Sequence, residues 1–144
     1  MVTRLIRASA SRIFQAWTNP QQLALWLGPG ECEVVSAEID LRPGGQYRIY
    51  FRQDVKTSSV WGVYREIVVP HRLVFSWIND ADTPGGSAES IVTVLFSERN
   101  GVTEVTVKQS GFTTSSIRDD HFAGWTMALE NLERLARTLS TAAT

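Results

Sequence analysis

Cysteine is almost missing from this chain of 144 residues, where Cys32 stands alone. An internal disulfide and a cysteine-rich metal cluster are both excluded, and the single thiol reads as a small, partly buried side chain. Histidine is nearly as scarce. His71 and His121 are the only two, and neither has the clustered carboxylates or thiols that a metal site needs. Charge of one sign is also lacking, with 14 basic against 15 acidic residues and a net charge of -1. Nucleic acid is therefore a poor partner, and no basic run is long enough to form an anionic-membrane patch. No apolar run approaches the ~18 residues of a membrane-spanning helix. The glycine-rich dinucleotide and phosphate-loop patterns are missing, as are the zinc-protease helix pattern and the serine-hydrolase elbow. No nucleophile, base and orienting group can be proposed together, so no catalytic residue is assigned and no cofactor is expected.

Residues 1–30 carry Arg4, Arg7 and Arg12 and no acid, a bias shared with organelle leaders. The same residues encode a strand and a helix that the fold needs, so a cytoplasmic protein is expected. The length suits one domain over 1–144, since two halves would each be too small to build a good core.

Strands dominate what is present. Residues 2–7 read as a short strand. Ser9 can cap a helix on which Ile13, Phe14 and Trp17 recur at helical spacing, and Asn19-Pro20 divides it from a second short helix over 21–27. Gly28-Pro29-Gly30 ends that helix, and the period then changes to two. Strands are expected over about 32–40, 58–68 and 89–97, and around Tyr47 to Arg52, Leu73 to Trp77 and Glu104 to Lys108. Their turns fall at Pro43-Gly44-Gly45, 53–58, Pro70-His71, the loop 80–87 and Asn100-Gly101, the last a strong hairpin signal. On the fourth strand Trp61, Val63, Arg65 and Ile67 alternate against Val60, Gly62, Tyr64 and Glu66. Short turns imply antiparallel meander pairing.

The chain then offers a helix over 119–139. Phe122, Trp125, Leu129, Leu132, Ala136 and Leu139 step by three and four along one stripe. Such a helix is roughly 30 Å long and can cross a whole sheet. The fold class expected is α+β: a curved antiparallel sheet of about seven strands around a long C-terminal helix, in the order β-α-α-β6-α. Curvature separates the two layers at one end, which leaves a cavity that five tryptophans and six phenylalanines would line.

Several stretches carry a family resemblance. These are ASRIFQAWTNPQQLALW from Ala10 to Trp26, DLRPGG from Asp40 to Gly45 and GVYREIVVPHRLVFSW from Gly62 to Trp77. SGF from Ser110 to Phe112 and DHFAGW from Asp120 to Trp125 complete the set. In that order they resemble the heat-shock-protein-90 ATPase activator homologue family of the START-like, or SRPBCC, superfamily. Leu27 follows Trp26 where the family often has a second tryptophan, and the segments 53–58 and 80–87 are individual to this chain. The resemblance implies the helix-grip fold. It also implies either binding of a hydrophobic or amphipathic small molecule or contact with a chaperone in a stress response. The named activators add a further N-terminal domain to this one, which weighs against the chaperone role here. A cyclase or hydrolase using the same pocket is the third reading. Homodimer formation is left open, and insertion into a membrane is not expected.

The candidate ligand-binding residues are Trp26, Tyr64, Phe75, Trp77, Phe96, His121, Phe122, Trp125 and Leu129. Phe122, Trp125 and Leu129 must face the sheet, and Phe75 and Trp77 belong to the expected inner face of their strand, where each could serve as packing alone. Which of Trp61 and Tyr64, and which of Tyr47 and Tyr50, points inward is left open. Tyr64 would add one orienting hydroxyl. His121, in the first turn of the last helix after Asp119 and Asp120, could act on a ligand only with a partner. Gly124 beside Trp125 costs roughly 1 kcal/mol of helix stability relative to alanine, which reads as close helix-on-sheet packing or a kink at the pocket. Arg48 and Arg65 read as solvated groups on the convex face, with inward-facing binding of an acidic ligand as the alternative.

Overall fold

A computed structural model describes residues 1–28, 32–79, 89–111 and 115–142, without the side chains of 79, 117 and 139–142. The elements are β1 (Val2–Ile6), α1 (Ala10–Thr18), α2 (Pro20–Leu23), β2 (Glu33–Ile39) and β3 (Gln46–Gln53), followed by β4 (Lys56–Val68) and β5 (Arg72–Asn79). Then come β6 (Glu89–Arg99), β7 (Val102–Ser110) and α3 (Ser115–Ala142). The helix break at Pro29-Gly30, the loop 80–87, Phe112 and the Leu139 side chain lie outside the described residues.

Local sequence explains the first helices. The Ser9 hydroxyl accepts from the Arg12 N–H at 3.2 Å, an N-cap worth ~1 kcal/mol. Asn19 serves two helices at once. Its N–H donates to Gln15 O and closes α1, while its Oδ1 accepts from the Gln22 N–H at 3.1 Å and opens α2. Pro20 takes the first position of α2, where a missing N–H costs nothing. α2 is shorter than expected from the sequence, because 24–26 continue as turns.

All seven strands join one antiparallel sheet in the order β1-β7-β6-β5-β4-β3-β2. Strands β2 to β7 form the expected meander, and β1 closes against β7 through Val2↔Val107 to Ile6↔Thr103. Asn100 and Gly101 make the β6–β7 turn with φ of 55° and 79°, as a type I′ hairpin requires.

Two bulges correct the simple alternation. One lies between Val34 and Ser36 on β2 and leaves Val35 exposed. The other lies between Tyr64 and Glu66 on β4. Past it, Ile67 packs on the core with Tyr64 and Glu66 is exposed, so the grouping of Glu66 with Tyr64 and of Ile67 with Trp61 read from the sequence is exchanged. An inserted residue shifts the period of two by one position.

The inner face of the sheet is lined by Tyr47, Ile49 and Phe51 of β3, Val60 and Tyr64 of β4, and Leu73, Phe75 and Trp77 of β5. Val92, Val94, Phe96, Val105 and Val107 continue it. Against it α3 buries Trp125, Ala128, Leu129, Leu132 and Ala136, the expected stripe with Ala128 added. Phe122 is only half-buried. α3 begins at Ser115 rather than 119 and runs through Gly124 without interruption. A contact between β1 and α3 pins the sheet's last strand: Arg4 Nε donates to Glu133 Oε2 at 2.5 Å.

The tryptophans do not mainly line a cavity. Four of them form a chain of packed rings through the core. Trp26 meets Trp17 at 4.7 Å between centroids, Trp17 stacks on Trp125 at 5.5 Å, and Trp125 meets Trp77 at 5.3 Å. The fifth, Trp61, lies on the opposite face of the sheet, with the Arg48 guanidinium 5.8 Å from its ring and 6.0 Å from that of Tyr50.

Candidate functional site

Where the N-terminal half of α3 departs from the sheet, a cavity of about 190 Å³ opens. Phe51, Val60 and Trp77 form its sheet wall, and Gly124, Trp125 and Ala128 form its helix wall. Leu27 and Cys32 close one side, and Ser58, Asp120 and His121 supply polar groups. Small residues one helical turn apart, Gly124 and Ala128, keep side-chain bulk out of this space. The glycine therefore faces the opening, and an uninterrupted α3 argues against the kink considered from the sequence.

The candidate residues fall into separate places. Trp77, His121 and Trp125 line this cavity. Tyr64 and Phe75, with Trp77 and Trp125 again, surround a second interior space of about 20 Å³, too small for anything beyond a water or two. Trp26, Phe96, Phe122 and Leu129 border neither space. Trp26 donates its indole N–H to Ala16 O at 3.0 Å, and Phe96 packs edge-on against Phe14 and Trp17. Leu129 is fully buried.

Tyr47 and Tyr64 are interior polar groups. Burial drives both phenols above the ordinary tyrosine value, and for Tyr47 the neighbouring Tyr64 charge adds to it. The Tyr47 hydroxyl donates to Ser76 O at 2.6 Å. That carbonyl is within reach because β5 lies close over Gly62, where a Cβ would stand 2.0 Å from Ser76 O. Cys32 is half-buried, and desolvation followed by the Glu33 charge raises its thiol above the usual value. A thiol held in its protonated form is a weak nucleophile.

A buried polar chain stands behind the two cavity tryptophans. Trp125 Nε1–H donates to Gln109 Oε1 at 2.8 Å, Gln109 Nε2–H donates to Ser90 Oγ at 2.8 Å, and the Ser90 hydroxyl donates to Trp77 O at 3.3 Å. Each member is buried. The chain fixes α3 to β7, β6 and β5 at the cavity. Sequence reasoning missed it, together with the wall residues Leu27, Phe51, Val60 and Ala128. A signal existed: Gln109 shares inward parity with Val105 and Val107, and a polar residue at such a position needs a partner. The Trp77 indole N–H is different. It is buried and meets no acceptor among the described residues.

A curled antiparallel sheet gripping a C-terminal helix, with a cavity between them, is the helix-grip arrangement of START-like proteins. The chain belongs to the family described as activator of Hsp90 ATPase homolog 1-like protein, whose model matches residues 7–137. Among solved structures it is similar to protein CV1439 from Chromobacterium violaceum, at 23% identity and a TM-score of 0.83 over 94% of each chain. It is also similar to the AHSA1-like protein from Aeromonas hydrophila, at 19% identity and a TM-score of 0.71 over 96% of this chain and 93% of that one. CalU16 from Micromonospora echinospora matches at 22% identity and a TM-score of 0.69, over 93% of this chain and 73% of that one. At these identities the structures share the fold. Comparison with curated proteins gives no match. Among the described residues no helix is long and apolar enough to cross a membrane.

Proposed function

We propose that this protein binds a small, mostly apolar molecule between α3 and the sheet. The observation that carries the reading is the cavity of about 190 Å³ walled by Phe51, Val60, Trp77 and Trp125 and kept open at Gly124. Aromatic walls with a few polar groups at one side are what a small-molecule site requires.

Native mass spectrometry of the purified protein, followed by denaturing extraction, tests this directly. A Gly124→Leu variant places a side chain in the cavity and removes the glycine's cost to the helix, so its fold is expected to persist. Wild-type protein is expected to carry or capture ligand, and the variant to lose it. Equal capture by both would sink the cavity as the site.

A second reading, contact with a chaperone of the heat-shock-protein-90 type, draws support from the family description and from Arg48 between Tyr50 and Trp61 on the outer face. Arginine and aromatic residues are enriched at protein interfaces. Its test is the chaperone's ATPase rate with wild-type protein and with Trp61→Ala, and an unchanged rate in both would exclude it.

A further inference from the structure

The charge at the cavity mouth narrows the ligand's chemistry, and this step rests on the binding reading above. The cavity opens to solvent, so a ligand can lay an apolar body on the aromatic wall and keep a polar head at the mouth. Two polar side chains of the lining are within reach there, since Asp120 is exposed and Ser58 is half-buried. The Ser58 hydroxyl both donates and accepts, so it does not discriminate between heads, whereas an ionised carboxylate only accepts. Asp120 enters no ion pair among the described residues. His121 packs edge-on against Trp77, with ring centroids 6.3 Å apart, and buries its Nδ1.

No cation offsets this carboxylate. Neither lysine nor arginine stands on the lining among the described residues. Arg52, next to the wall residue Phe51, is engaged by Glu33, with Nε 3.0 Å from Oε1. Arg118 lies 3.5 Å from Asp119, and Lys56 is exposed at the start of β4, off the lining. Cys32 reports the same sign from another side of the cavity. Burial raises its thiol first, and the Glu33 charge adds to that, so a negative charge is felt there too. The faces of Phe and Trp rings also accept a cation more readily than an anion.

We propose that the ligand is an amine, bound as its ammonium ion: its apolar body lies against Phe51, Trp77 and Trp125, and its charged head meets the Asp120 carboxylate at the mouth. An anionic amphiphile would bring a second negative charge beside Asp120 and is disfavoured by the same Coulomb term that holds the ammonium.

Three probes that share a phenylpropyl body and differ in the head test this: 3-phenylpropylammonium, 3-phenylpropanol and 4-phenylbutanoate. They are titrated at low salt and at a pH of about 8, above the ordinary histidine value of about 6.5 and below the alkylammonium value of about 10.4. The readout is the tryptophan indole N–H cross-peaks of nitrogen-15-labelled protein. The ammonium is expected to bind about twofold to fivefold more tightly than the alcohol, as an ion pair at an exposed carboxylate implies, and the carboxylate more weakly than the alcohol. The ratio of ammonium to alcohol affinity should fall toward one in Asp120→Asn and on adding salt, but persist in Asp119→Asn, whose carboxylate is off the lining. Using the ratio cancels any general change that a variant makes to the cavity. All three probes should weaken in Gly124→Leu, which assigns their binding to this cavity. The inference is overturned if the alcohol or the carboxylate binds as tightly as the ammonium, if the ratio survives Asp120→Asn, or if Asp119→Asn lowers it equally. In those cases the binding reading survives so long as Gly124→Leu weakens the probes. Failure of all three probes to perturb any indole would instead overturn the binding reading itself.

Discussion

Trp125 on α3 donates its indole N–H to Gln109 Oε1 on β7 at 2.8 Å, and both residues are buried. This bond joins helix to sheet at the cavity wall. Through Ser90 it continues to the backbone of Trp77, so the two aromatic walls are held by one polar chain.

Replacing Gln109 with Leu leaves the Trp125 N–H buried without an acceptor and removes a donor from Ser90. A loss of about 1–3 kcal/mol is expected, read as a lower urea midpoint at unchanged slope. Gln109→Glu retains an acceptor for Trp125. It should restore the near-ultraviolet signal of the tryptophans more fully than Leu does. Equal stability of Gln109→Leu and wild type would show that the chain contributes nothing.

Gly62→Ala introduces a Cβ 2.0 Å from Ser76 O, the same oxygen that accepts from the Tyr47 hydroxyl. Backbone cannot yield as a flexible side-chain tip does, so β4 and β5 must separate. The expected cost is about 1–3 kcal/mol or more, measured by thermal unfolding. An unshifted Tm would mean that the strands part there without penalty.

Tyr47 and Tyr64 are held above the ordinary tyrosine value chiefly by burial. Their stabilising contribution is complete below about pH 10, where the unfolded chain still keeps these protons. It is lost as pH rises from there toward the folded values, because the unfolded state releases protons first. Alkaline titration at 295 nm should therefore show phenolate from these two of the three tyrosines appearing together with unfolding. Smooth ionisation of all three in folded protein would contradict this.

The Arg4–Glu133 contact lowers the Glu133 carboxyl below its ordinary value, first through the hydrogen bond from Arg4. Its contribution is present above the unfolded glutamate value of about 4.3 and is lost as pH falls through the lower folded value. Arg4 is partly exposed, so Arg4→Gln should cost no more than about 1 kcal/mol at neutral pH. The difference from wild type should vanish on acidification and shrink in high salt. A difference that grows below pH 4 would reverse the sign of this argument.

Much of this was legible along the chain because it is written in local periodicity. Tyr47, Ile49 and Phe51 alternate with charged or exposed neighbours, Trp125, Leu129, Leu132 and Ala136 step along one helix face, and Asn100-Gly101 fits only a tight hairpin. Such patterns depend on neighbours within a few residues, so the sequence by itself determined the element order, the meander and the apolar face of α3. Tertiary structure decided the rest. Bulges at Val35 and Arg65 reversed faces because strand partners, not neighbours in sequence, set the register. The split of the aromatics between core and cavity turned on where α3 leaves the sheet. Gly124 and Ala128 leave room there, Trp17 and Trp26 fill the space elsewhere, and Gln109 finds Trp125 only once a helix 16 residues away in sequence has docked. Cavities and buried polar pairs arise from groups distant in the chain, and only the packed fold brings them within a hydrogen bond of one another.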